Sequence, residues 1–202
     1  EVTWSDEDED ELKEAIEESA DRLEALVGNL LDMSRLQAGA LVAHPCATDL
    51  GEVIPATLAT LPDPTRATWA IDPDARTVEA DAGLLDRVLG NIAENALRYQ
   101  PVDAPITVHA SRVSDRVEIR VVDTGVGVPP EEQERIFQPF QRQGDAPSGD
   151  GLGLGLAVAR GLTEAMGGQL GAEPTPGGGL TLVVTLPTRA GQAIAPENGE
   201  GP

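Results

Sequence analysis

Gly149 to Leu162 reads GDGLGLGLAVARGL, and the meaning of its glycines decides the fold. They alternate with Asp150, Leu152 and Leu154 and then give way to the apolar spacing of a helix. Bare backbone amides therefore stand at a helix N-terminus, where the positive helix end and the N–H groups hold phosphate oxygens. Two more glycine-rich segments lie on either side, DTGVGVP at Asp123 to Pro129 and PGGGL at Pro176 to Leu180. Two phosphate-binding classes drop out and a third, the dinucleotide fold, fits poorly. A Walker loop needs a Gly-Lys pair, and the one lysine is Lys13, far upstream. The dinucleotide fingerprint needs G-x-G-x-x-G after a parallel strand, whereas this chain has G-x-G-x-G opening into Leu156. The H-R-D catalytic loop of protein kinases is absent.

Working outward, apolar spacing predicts a helix from near Leu154 to Gly167-Gly168 and a final strand from Leu180 to Leu186. Upstream come a long helix from Ala82 to Tyr99 and two alternating segments, Ile106 to Arg112 and Arg116 to Val122, joined through Ser114-Asp115 as a hairpin. Before these lie a short helix near Leu50 to Leu61 and a strand pair around Ala67 to Glu79. Helices and largely antiparallel strands in blocks make an α+β sandwich. At the N-terminal end, Leu12, Ile16, Ser19, Leu23, Leu26, Leu30 and Met33 step by fours and threes as a heptad seam, widened by Val27, Leu31 and Leu36. Gly39 ends that helix, which either packs on its own domain or dimerises. The expected organisation is a helix over 1–39, a linker over 40–48, a globular domain over 49–188 and a disordered tail over 189–202.

The chain has 202 residues and a net charge of −21, with twelve acids against two bases between Glu1 and Glu24. Nucleic acid and anionic membrane surfaces would repel it. Cys46 is the one cysteine, so an intrachain disulfide or zinc site is excluded. Eighteen apolar residues never occur in a row and EVTWSDEDED lacks the features of a signal peptide, so a soluble chain is expected. Its start at Glu1, inside an acidic run, suggests a piece of something longer.

Four segments in order, NIAENALRY (Asn91 to Tyr99), DTGVGVP, RIFQPFQR (Arg135 to Arg142) and GDGLGLGLAVARGL, resemble the N, G1, F and G2 boxes of bacterial sensor histidine kinases. EESADRLEALVGNLLDMSRLQAGAL is similar to the second helix of the dimerisation and histidine-phosphotransfer domain in that family. DMSRLQAGA, FQPFQR and ARGLTEAMGGQL are most similar to the KdpD type, the potassium-responsive sensor kinases. The resemblance implies a two-layer α/β sandwich of the histidine-kinase and Hsp90-like ATPase type, preceded by one helix of a dimerisation bundle.

It also implies ATP and Mg²⁺ as cofactors. Asn91 and Asn95 share one helix face; by resemblance Asn95 is the magnesium ligand and Asn91 its support, while Arg98 meets phosphate oxygens and Tyr99 lines the nucleotide site. Glu94 is either a base that polarises a substrate imidazole or a solvated carboxylate. Asp123, at the lip of a strand with Gly125 and Gly127 beyond it, can accept from the adenine amino group and reject guanine. Gly151, Leu152, Gly153, Leu154 and Gly155 surround the triphosphate, and Thr181 is a minor candidate for the adenine pocket. Gln141 to Gly149 reads as a lid, with Phe137 and Phe140 either anchoring it or packing in the core. The phosphoacceptor histidine of the family has no counterpart, since His44 and His109 lack its sequence context. The implied role is therefore the ATP-binding catalytic part of a sensor kinase. Its partners are ATP, a KdpE-like response regulator and a second copy of the parent, and its place is the cytoplasmic side of a membrane-anchored sensor. A related ATPase or serine kinase of the same fold, or a non-catalytic docking module, are the alternatives.

Overall fold

The computed structural model describes residues 6–141 and 153–188. Gly151, Leu152, the expected lid beyond Gln141 and the tail 189–202 lie outside the described residues. Helix α1 (Asp6–Gln37) is followed by β1 (Cys46–Asp49), α2 (Leu50–Ala59), β2 (Ala67–Ile71), β3 (Thr77–Ala80) and α3 (Ala82–Tyr99). Then come β4 (Ile106–Val113), β5 (Arg116–Val122), α4 (Gly155–Ala165), β6 (Gln169–Pro174) and β7 (Leu180–Pro187). Five strands form one sheet in the order β2-β4-β5-β7-β6, and β1 pairs with β3 in a separate ribbon. The sandwich expected from the block pattern is present.

Strand alternation makes one sheet face apolar. Ile106, Val108 and Ala110 of β4 and Val117, Ile119 and Val121 of β5 are buried in one cluster with Leu50 and Ile54 of α2, Leu85 and Ile92 of α3, and Val158 and Leu162 of α4. Each fully buried side chain of this size stabilises the fold by about 1.5–3 kcal/mol before entropy is counted. Helix α3 begins at Asp81, whose Oδ1 accepts from the Gly83 and Leu84 N–H groups. It ends at Gln100, just before Pro101.

Two expectations need correcting. The strands at Ala67 to Glu79 exist, but they do not pair with each other: β2 runs parallel to β4, and β3 is antiparallel to β1. Asp72 N–H continues along β4 onto the Ala110 carbonyl before Pro73 turns the chain away. A parallel pair needs a long crossover, which α3 supplies. Strand β6 was not foreseen; it pairs antiparallel with β7 after the turn at Gly167 and Gly168. The hairpin at Ser114 and Asp115 is present, with Val113 opposite Arg116 and Ser114 in the left-handed region at φ 59°.

The last turns of α1 dock on this domain. Leu36 packs so closely on α4 that a Cβ at Gly161 would lie 2.6 Å from its Cδ1. Asp32, 1% exposed, accepts from Arg87 Nη1 of α3 at 2.9 Å and lies 2.5 Å from Nη2. Leu12, Ile16, Leu23, Val27, Leu30 and Leu31 of the same helix remain exposed. The C-terminal end of α1 thus packs on its own domain.

Candidate nucleotide site

Helix α3 carries most of the candidate side chains. Asn91 and Asn95 are half-buried one turn apart, and Glu94, Arg98 and Tyr99 are exposed beside them. Asn91 Nδ2 donates to the Arg87 carbonyl at 2.9 Å. Its Oδ1 turns to the start of α4, where a Cβ on Gly155 would meet it at 2.9 Å. Asn91 therefore braces α3 against the N-terminus of α4, and Asn95 follows one turn later, half-buried. Desolvation raises the Glu94 pKa above its usual value, and the positive charge of Arg98 one turn on opposes that rise.

Asp123 follows β5 and is 3% exposed. Its Oδ1 accepts from Gly125 N–H at 2.9 Å and from Leu180 N–H at 3.1 Å. Both hydrogen bonds to the carboxylate therefore end on one oxygen. Gly125 lies against the end of α3: a Cβ there would be 2.3 Å from the Tyr99 carbonyl oxygen, so only glycine allows the approach. Gly127 backs onto Gly179. Through Gly125 on Tyr99 and Gly155 beside Asn91, the Asp123 loop, α3 and the N-terminus of α4 meet as one group.

The chain leaves and re-enters the described structure at one place. Phe140 N–H donates to the Gly153 carbonyl at 3.0 Å, and Gly153 is seated against Gln141 with φ 68°. Leu154 is buried and Gly155 opens α4. The two phenylalanines part company. Phe137 is in the core with the Arg160 guanidinium 4.2 Å above its ring, and Arg160 is itself paired with Glu134; Phe140 is 65% exposed.

Thr181 does not join the group. It stands opposite Val122 and Glu173, on the sheet face away from Leu180 and Leu182, and its hydroxyl meets that of Thr175 at 2.9 Å. Its neighbour Leu180 is the one that touches Asp123. His109 is on β4 with Nε2 3.3 Å from Asp72, and His44 meets Asp81 through its backbone N–H. Neither is near α3's asparagines in the hydrogen-bond network. Gln100 was not foreseen: 6% exposed, it accepts from Thr124 N–H at 2.7 Å. A glutamine closing a helix before proline was the available signal.

Among the described residues no group of three or more His, Cys, Asp or Glu side chains could hold a metal ion.

Residues 80–190 match the family of histidine kinase-, DNA gyrase B- and HSP90-like ATPases, and the chain belongs to it. Its curated relatives include the KdpD sensor proteins. It is 47% identical over 192 residues to the sensor protein KdpD of Mycobacterium tuberculosis, covering 92% of this chain and 22% of that protein. The KdpD of Escherichia coli is 35% identical over 174 residues, 85% of this chain and 19% of that protein. The chain thus spans about a fifth of the length of these relatives. Among solved structures, full-length ShkA in complex with AMPPNP is 30% identical with a TM-score of 0.74, over 94% of this chain and 41% of that one. The mycobacterial sensor histidine kinase MprB is 26% identical with a TM-score of 0.64, over 71% of this chain and 99% of that one. No helix among the described residues is long and apolar enough to cross a membrane.

Proposed function

We propose that the chain binds ATP with Mg²⁺ and is the phosphoryl-donating part of a KdpD-like sensor kinase in potassium or osmotic signalling. The γ-phosphoryl group passes to a histidine outside this chain and from there to an aspartate of a KdpE-like response regulator. The reading is supported by the meeting of three elements at one place: the Asp123 loop, with one carboxylate oxygen taken up by Gly125 and Leu180, the end of α3 at Asn91 and Tyr99, and the N-terminus of α4.

Asp123 Oδ2 accepts from the adenine amino group. Guanine has a carbonyl there, which would face a buried acceptor with another acceptor. Phosphate oxygens meet the amides at Gly153 to Gly155, the positive end of α4, and Arg98. A neutral amide at Asn95 fits Mg²⁺, which keeps water and phosphate oxygens as most of its ligands. When bound, the ion neutralises phosphate charge.

The bond from the γ-phosphorus to the bridging oxygen breaks, a bond to an imidazole nitrogen forms, and the imidazole proton leaves to a base. Glu94 takes it as the base. In the parent protein α1 supplies one helix per subunit of a dimeric bundle, and segments outside this chain anchor the whole to a membrane. The test adds a separate polypeptide carrying the phosphoacceptor helix to this chain with γ-labelled ATP. Label on the added histidine, abolished by Asn95→Ala, supports the proposal; no label with wild type contradicts it.

A further inference from the structure

We infer that Gln100 is a positioning residue for nucleotide selection, holding the Asp123 loop at a set distance from the end of α3. The inference rests on the reading of Asp123 as the adenine contact. Gln100 is buried, and both ends of its side-chain amide are in use. Oε1 accepts from Thr124 N–H at 2.7 Å with Thr124 Oγ1 at 3.4 Å, and Nε2 donates to the Pro105 carbonyl at 2.8 Å. Its backbone is held as well. The N–H donates to the Ala96 carbonyl at 3.0 Å, and the carbonyl accepts from Arg66 Nη2, which also donates to the Pro101 carbonyl at 2.9 Å.

One side chain thus ties the end of α3, the entry to β4 and the loop after β5. Thr124 is the residue between Asp123 and Gly125, so its anchoring decides where the Asp123 carboxylate sits relative to Arg98 and Tyr99, the two residues before Gln100. A nucleotide bridging Asp123 at its base and Arg98 at its phosphates reads that separation. With the Thr124 N–H released from Gln100 Oε1, the loop loses its hydrogen-bonded tie to the end of α3 and is free to shift. The carboxylate then loses the fixed position from which it distinguishes adenine from guanine. A residue that merely filled space would leave that discrimination untouched.

The test titrates Mg-ATP and Mg-GTP into the purified chain and its Gln100→Met, Gln100→Glu and Asp123→Asn variants. Gln100→Met keeps the length and removes both hydrogen-bonding groups; Gln100→Glu keeps the acceptor for Thr124 N–H. The expected result is about tenfold weaker ATP binding and a reduced ATP-over-GTP ratio for Gln100→Met, the loss of one hydrogen bond. Gln100→Glu, which keeps the acceptor for Thr124 but loses the donor to Pro105, retains more of the ratio than Gln100→Met, and a ratio no better than that of Gln100→Met counts against the inference. A wild-type ratio in folded Gln100→Met, with the ratio lost in Asp123→Asn, overturns the role of Gln100 and leaves the Asp123 reading standing. A wild-type ratio in Asp123→Asn overturns that reading itself. Amide exchange of Thr124 in the wild-type chain decides the matter even if Gln100→Met fails to fold. Protection is expected, and exchange at the rate of an open loop overturns the inference.

Discussion

Glu94 sits where desolvation raises its pKa while Arg98 opposes the rise. A carboxyl whose folded pKa lies above its unfolded value stabilises the fold fully below that unfolded value, near 4.5, and loses the contribution as pH rises through the folded pKa. At neutral pH the ionised group is therefore a cost. Glu94→Gln is expected to leave the thermal midpoint at pH 7 equal or slightly higher, while lowering phosphotransfer by about 10²-fold or more if Glu94 takes the proton; unchanged transfer would leave it a solvated carboxylate. Asn95→Ala is expected to remove the gain in ATP affinity that Mg²⁺ provides, read by titrations with and without the ion. Equal gains in both proteins would exclude Asn95 as a ligand. The placement of Asn95 and Asp123 was legible from local spacing, one helix turn from Asn91 and one strand end before two glycines. Gln100 with Thr124, and Asp32 with Arg87, were not, because the partners lie 24 and 55 residues apart and meet only after the sheet and helices assemble.

Helix α3 depends on its first residue. Asp81 caps it through Oδ1 and accepts from His44 N–H through Oδ2 at 3.0 Å, and the His44 bond above all lowers its pKa. Stability from a lowered carboxyl pKa is present above the unfolded value, near 3.8, and is lost as pH falls through the folded one. Asp81→Ala is expected to cost about 1 kcal/mol in denaturant unfolding at pH 7, with the difference shrinking in acid; a constant difference would contradict the electrostatic part. The docking of α1 rests on the Asp32–Arg87 pair and on Leu36 over Gly161. Arg87→Ala is expected to strand a buried carboxylate and cost up to about 3 kcal/mol, the low end for breaking a buried pair because Arg87 keeps solvent access. Faster amide exchange in the last turns of α1 would report it; unchanged exchange would show that apolar contact alone holds the helix. Long periodic elements such as α1 and α3 were readable from spacing. Strand β6 was not, since Gln169 to Pro174 carries two glycine or alanine positions and lacks the regular alternation of β4 and β5. The pairing of β2 with β4 depends on a crossover that local pattern does not encode.

For the whole molecule, the exposed apolar positions of α1 are the feature that asks for a partner. Leu12, Ile16, Leu23, Val27 and Leu30 are each about half exposed on a helix whose far end is docked. Self-association through this stripe is expected in sedimentation velocity at high concentration and weakened by Leu23→Glu with Val27→Glu; a monomer at every concentration contradicts it. The net charge of −21 makes ATP an unfavoured guest without local compensation, which the account assigns to Arg98, Mg²⁺ and the amides opening α4. The decisive measurement is calorimetric titration of Mg-ATP and Mg-GTP into the wild-type chain. Saturable binding of ATP and much weaker binding of GTP are expected. A folded chain that binds neither, or binds both alike, contradicts the proposed function.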